Sequence, residues 1–138
     1  MRRILVVDDQ SVVRELVKQV LDLWADDIEV REAEDGLQAL DLLSKVTFDL
    51  IVCDINMPNL TGVGMLEQVR KMGYHGDLPI IMLTANAHEE NVTEALRLGA
   101  TSYVTKPFNV EDLLGALNAC SEWDLSKISD VSPADRPG

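Results

Sequence analysis

The chain is expected to fold as a doubly wound α/β domain, a five-stranded parallel sheet with helices on both faces. Two observations predict this. Short apolar runs alternate with amphipathic stretches five times over, and such alternation implies parallel strands joined by crossover helices. The first, third and fourth apolar runs lack a period of two, as strands buried on both faces should. Length and composition agree with one domain. The chain has 138 residues, 46% of them hydrophobic, which is enough to bury a core.

Each element follows from its own pattern. Ile4–Val7 is a continuous apolar run and predicts the first strand. Val12, Val13, Leu16, Val17, Val20, Leu21 and Trp24 recur at helical spacing, with Ser11 as the expected N-cap. Ile28–Ala33 is β-branched and alternating, a second strand. Asp35-Gly36 opens a second helix whose stripe is Leu37, Leu40 and Leu43. Leu50–Cys53 is the third strand, and Gly62–Met72 the third helix, buried through Val63, Leu66 and Val69. "LPIIMLT" is the fourth strand, with Pro79 tolerated at its start. Residues 88–98 predict a fourth helix with Val92, Ala95 and Leu96 inward and Gly99 as its stop. "SYVT" is the fifth strand. "NVEDLLGALNAC" is the fifth helix, capped by Asn109 and buried through Val110, Leu113, Leu114 and Leu117. From Ser121 the composition turns to Ser, Asp and Pro. Trp123 and Ile128 are expected to extend the last helix, and the final residues to be disordered.

Composition narrows the function. The net charge is −12, which argues against direct binding of nucleic-acid phosphates. No apolar run approaches a membrane span. "MRRILVVDDQ" is too short in its apolar part for a secretory signal, so a cytoplasmic location is expected. Cys53 and Cys120 stand far apart in no CxxC and read as small buried hydrophobes. His75 and His88 lack partners at metal-ligand spacing.

The charged residues at strand ends carry the chemistry. In a parallel sheet all C-terminal strand ends share one edge. There the sequence puts Asp8 and Asp9, then Asp54, then Thr84, then Lys106 followed by Pro107. Glu32–Glu34, after the second strand, receive no role. Open α/β sheets bind ligands at the point where strand order reverses. With the order 2-1-3-4-5, that point lies between strands one and three, so Asp8, Asp9 and Asp54 meet in one crevice.

Three carboxylates there repel one another. Two unit charges roughly 4 Å apart cost about 4 kcal/mol at an effective dielectric of about 20. Lys106 supplies one positive charge. A hard divalent cation supplies the rest, and Mg²⁺ suits oxygen ligands of this kind. Such a site can do chemistry, because a carboxylate can attack phosphorus to form an aspartyl phosphate. Mg²⁺, Lys106 and the Thr84 hydroxyl are parts that hold and neutralise the transferred group.

"VVDDQ", "DLIVCDINMPNLTG", "PIIMLTA" and "GATSYVTKPF" together resemble the receiver domains of two-component response regulators, of the single-domain chemotaxis-regulator type. The resemblance covers about residues 3–120. It implies a flavodoxin-like fold, a receiver domain over 1–120 and a helix extension and tail over 121–138. It implies that Asp54 is the phosphoacceptor, and that Asp8, Asp9, Asp54 and the Asn56 backbone carbonyl hold Mg²⁺, with Mn²⁺ as a substitute. Thr84 is then the switch hydroxyl, Lys106 the phosphate-binding lysine with a cis bond to Pro107, and Tyr103 the aromatic that changes rotamer. The implied donor is a histidine kinase or phosphotransfer protein. The implied output is a downstream protein, or a second copy of the chain, on residues 88–120, with neither membrane nor nucleic acid as a direct partner. The protein would act as a regulator that catalyses only its own phosphorylation and dephosphorylation.

Some positions depart from the family pattern. Thr61 stands where Asp is common, Gln10 follows the acidic pair, and Asn56 and Asn86 hold positions that tune phosphate lifetime. Two rival readings are a pseudo-receiver that binds partners without phosphorylation and a haloacid-dehalogenase-type phosphohydrolase. The second needs Asp-x-Asp after the first strand, which "VVDDQS" lacks. A nucleotide fold needs a Gly-rich loop there, which is also missing.

Overall fold

The computed structural model describes residues 2–72, 78–86 and 90–126. Ten elements alternate: β1 (Arg2–Val7), α1 (Ser11–Trp24), β2 (Ile28–Ala33), α2 (Gly36–Lys45), β3 (Leu50–Asp54), α3 (Gly62–Lys71), β4 (Ile80–Thr84), α4 (Glu90–Arg97), β5 (Ser102–Thr105) and α5 (Val110–Ser126). The strands are all parallel, in the order β2-β1-β3-β4-β5. His75, His88 and residues 127–138 of the expected tail lie outside the described residues.

Two apolar clusters sandwich the sheet. On one face Leu5, Val7, Ile51, Cys53, Ile80 and Met82 meet α2, α3 and α4 through Ala39, Leu43, Leu66, Val69, Val92 and Ala95. On the other, Ile4, Val6, Leu50, Val52, Ile81 and Leu83 meet α1 and α5 through Val17, Leu21, Leu113 and Leu117. Alternate residues of the same strand thus serve opposite clusters. That is why β1 from Ile4 to Val7, β3 from Leu50 to Cys53 and β4 from Ile80 to Leu83 are apolar without alternation. Each fully buried Leu or Ile contributes about 1.5–3 kcal/mol relative to exposure.

Several local expectations change. α1 starts at Ser11 itself, with Gln10 as N-cap and no side-chain cap bond. The Asp8 carboxylate accepts the Gln10 N–H at 2.9 Å, a turn made by an aspartate two residues back, so the helix begins one residue early. Val12 is 78% exposed, and Leu16 is exposed too. The apolar set of α1 covers a wider arc than one helix face can bury. Leu37 is exposed, while Leu40 and Leu43 of the expected stripe pack inward together with Gly36 and Ala39. Leu96 and Val110 also face outward. Among the described side chains of α4, Val92 and Ala95 are the buried ones. β1 begins at Arg2, β3 includes Asp54, and β4 begins at Ile80 after a buried Pro79 whose carbonyl accepts the Ile51 N–H at 3.0 Å.

The Asn109 cap holds. Its side chain accepts the Asp112 N–H at 2.8 Å, and the Asp112 carboxylate accepts the Asn109 N–H at 3.2 Å. This reciprocal pair satisfies two donors at the start of α5. Thr61 caps α3 in the same sense, accepting the Gly64 N–H at 3.1 Å.

Candidate functional site

Register assembles the site. Val7 pairs with Cys53, so the next residues, Asp8 and Asp54, leave β1 and β3 side by side. Asp54 pairs with Leu83, and Thr84 pairs with Thr105, which puts Lys106 one step beyond. The Lys106 N–H donates to the Thr84 carbonyl at 2.6 Å, and the Lys106–Pro107 bond is cis. Four residues from four strands therefore reach one edge.

The ammonium of Lys106 lies 2.8 Å from Asp8 Oδ2 and 3.3 Å from Asp54 Oδ1. Asp8 and Thr84 are fully buried and Asp54 nearly so. Asp9 is exposed, yet one carboxylate oxygen from each of Asp8, Asp9 and Asp54 lies within 4.8 Å of the others. Three hard oxygen donors gather here, and Lys106 is ion-paired with two of them, Asp8 and Asp54. That donor set fits a divalent ion such as Mg²⁺.

Burial sets the proton affinity of Asp54. Removal from water raises its pKa from 3.8 to about 6, and the Asp8 charge adds to the rise. Lys106 and the Asn56 backbone N–H oppose it. For Lys106, burial favours the neutral amine, but the hydrogen bond to Asp8 and the charges of Asp54 and Asp8 outweigh it and raise its pKa. Lys106 therefore stays an ammonium. The Cys53 thiol beneath the site is pushed well up by burial and by the neighbouring carboxylates, so it stays protonated. Cys120, also free and buried, is pushed up to about 11.

The Thr84 hydroxyl is engaged within its own loop. It donates to the Asn86 carbonyl at 3.1 Å and accepts the Asn86 N–H at 3.2 Å. Tyr103 is 40% exposed on β5 and sits away from the carboxylates in register, opposite Met82.

Some of the surrounding frame had no signal in the sequence. Arg14 donates to the Asp8 carbonyl at 2.7 Å and to Glu32 at 2.9 Å. Lys18 reaches the other Glu32 oxygen at 3.2 Å. Glu32 thus anchors Arg14, which steadies the loop after β1 through the Asp8 carbonyl, and pairs with Lys18 as well. Gly62 has a sharper reason than a turn. A Cβ there would lie 2.3 Å from the Asp54 carbonyl oxygen, so the chain passes directly against the back of Asp54. Among the described residues no helix is long and apolar enough to cross a membrane.

Residues 4–118 match the family described as the response regulator receiver domain. The chain is 40% identical over 121 residues to the chemotaxis protein CheY-3 of Vibrio cholerae serotype O1, covering 87% of this chain and 92% of that protein. It is 40% identical over 112 residues to the chemotaxis protein CheY of Pseudomonas aeruginosa, covering 80% and 89%. Among solved structures, the chemotaxis response regulator CheY4 of Vibrio cholerae superposes with a TM-score of 0.78 at 38% identity, covering 87% of this chain and 98% of that one.

Proposed function

Because the chain belongs to the response regulator receiver domain family, we propose that it is a switch whose Asp54 accepts a phosphoryl group from a histidine kinase or phosphotransfer protein. The family consists of signalling regulators rather than ordinary enzymes. The observation that carries the proposal is the buried Asp54 carboxylate 3.3 Å from the Lys106 ammonium, within 4.8 Å of oxygens from both Asp8 and Asp9.

The ionised Asp54 carboxylate is the nucleophile. One of its oxygens attacks phosphorus, and the bond from phosphorus to the donor breaks with its electron pair going to the donor. The product is an acyl phosphate on Asp54. Asp8, Asp9, Asp54 and the Asn56 carbonyl would hold Mg²⁺, or Mn²⁺ in its place, and the ion would supply positive charge to offset that of the transferred phosphoryl group. Lys106 is already aimed at Asp54 and Asp8. It turns from its Asp54 contact to a phosphoryl oxygen with little movement.

The output follows from Thr84. Its hydroxyl exchanges the Asn86 carbonyl for a phosphoryl oxygen and moves inward, and Tyr103 rotates into the vacated space. The face built from α4, β5 and α5 changes shape and controls a partner protein or a second copy of the chain. That face exposes Leu96, Tyr103 and Val110, apolar groups suited to a protein partner. A cytoplasmic site of action fits such a switch.

Incubation with acetyl phosphate and Mg²⁺ tests the proposal. Wild type should gain one phosphoryl group per chain, and Asp54→Asn none. Continuous turnover of acetyl phosphate would indicate a hydrolase. No mass gain at all would indicate a phosphorylation-independent interaction module.

A further inference from the structure

We propose that Asp35 is a positioning residue for the cation site, acting through Asn59 to hold the loop that presents the Asn56 carbonyl. This rests on the assignment of Asp8, Asp9, Asp54 and Asn56 as that site. Asp35 lies on none of the strands that form the site. It is the N-cap of α2, a buried carboxylate whose two oxygens have separate work. Oδ1 accepts the Gln38 N–H at 2.9 Å and caps the helix. Oδ2 accepts the Asn59 side-chain amide at 2.7 Å, 24 residues further along the chain.

Asn59 belongs to the loop between β3 and α3 and has φ of +68°, the left-handed region that L-residues avoid and Asn tolerates better than most. The loop is closed at its base, where the Gly62 N–H donates to the Ile55 carbonyl at 2.7 Å. At its tip Leu60 packs against Gly36, where a Cβ would come within 2.9 Å of the Leu60 carbonyl oxygen. The adjacent residues Asp35 and Gly36 thus grip the tip together, one by a hydrogen bond and one by close approach. The anchor is rigid, because α2 is buried through Ala39 and Leu43.

Asn56 sits between base and tip, with its N–H bonded to the Asp54 carboxylate. A loop fixed at both ends offers its carbonyl ready-aimed. A loop released at the tip must be ordered by the cation itself, which weakens binding.

Two variants cut the tether while sparing other contacts. Asn59→Gly removes the amide and leaves a residue that adopts positive φ freely. Asp35→Ser keeps a good helix cap but is too short to reach Asn59. Titration with Mg²⁺ alone, followed by the NMR shift of the Asn56 amide, should show each variant binding on the order of tenfold more weakly, the lower end of what supporting partners contribute to metal affinity. The double variant should lose no more than the larger single loss, because both changes cut one hydrogen bond. Amide exchange at Asn56 should quicken while Gln38 stays protected. Phosphorylation by acetyl phosphate should return to the wild-type rate when Mg²⁺ is raised in proportion. Wild-type Mg²⁺ affinity in Asn59→Gly would overturn the tether, as would additive losses in the double variant or a rate that Mg²⁺ does not restore. Failure of wild type itself to bind Mg²⁺ would overturn the cation-site assignment and the tether's role with it.

Discussion

Burial raises the pKa of Asp54 from 3.8 to about 6, with the Asp8 charge adding to the rise, and this makes stability depend on pH. A carboxylate whose folded-state pKa is raised binds its proton more tightly in the folded chain. The stability it contributes is complete below the unfolded pKa of 3.8 and is lost as pH rises through about 6. In chelator, wild type should therefore lose up to about 3 kcal/mol from this group between about pH 4 and 6. Asp54→Asn should be the more stable protein at neutral pH and lose that advantage near pH 4. Urea titrations of both proteins across this range check it; parallel profiles would refute it. Asp9 offers a different test. Its carboxylate is exposed and touches no core. Asp9→Ala should leave stability within about 0.5 kcal/mol of wild type while weakening Mg²⁺ binding by more than about tenfold. Calorimetric titration with Mg²⁺ measures this directly.

Two glycines separate what an element tolerates from what the site beneath it demands. Gly62, the first residue of α3, runs against backbone. An added Cβ would lie 2.3 Å from the Asp54 carbonyl oxygen and 2.9 Å from Ile55 Cα, and neither can yield as a flexible side chain would. Gly62→Ala should cost about 3 kcal/mol and slow phosphorylation, because relief of the clash moves Asp54. Gly115 sits mid-helix in α5 with nothing within 4 Å of an added Cβ. Gly115→Ala should stabilise by about 0.5–1 kcal/mol through helix propensity alone, with phosphorylation unchanged. Thermal melts and acetyl phosphate kinetics of the pair test both statements. A stable, active Gly62→Ala protein would show that the loop after β3 has more freedom than its contacts imply.

At the scale of the whole molecule, the proposed function would link the phosphoryl group and the partner through one equilibrium. A ligand shifts two conformations only by its differential affinity for them. On the proposed switch, the Thr84 hydroxyl, bonded to Asn86 in this structure, is where that difference would arise. A beryllofluoride mimic on Asp54 should therefore strengthen partner binding or self-association in wild type and do so far less in Thr84→Ala. The contact should map to α4, β5 and α5, where Leu96, Tyr103 and Val110 are exposed. An equal response in both proteins would remove Thr84 from the switch, and a footprint confined to α1 or α2 would move the output face.

The sequence by itself determined the number, order and type of the elements, because a strand or helix writes its period locally. It also placed Asp8, Asp9, Asp54, Thr84 and Lys106 at strand ends, since a charge after an apolar run is a local pattern too. Helical spacing picked out many of the inward residues, such as Leu66, Val69, Val92, Ala95 and Leu113, but tertiary structure decided which members of each apolar set stay outside. Val12, Leu37, Leu96 and Val110 share the hydropathy of buried neighbours, and only the shape of the packed surface leaves them outside. It alone decided the frame around the site as well. Lys106 meets Asp8 across 98 residues, a meeting that parallel pairing and the family resemblance made legible. Asp35 meets Asn59 across 24, and nothing local marks either residue as the other's partner. Hydrogen bonds between loops depend on where folding brings two backbones, and that is a property of the closed molecule rather than of any stretch of its chain.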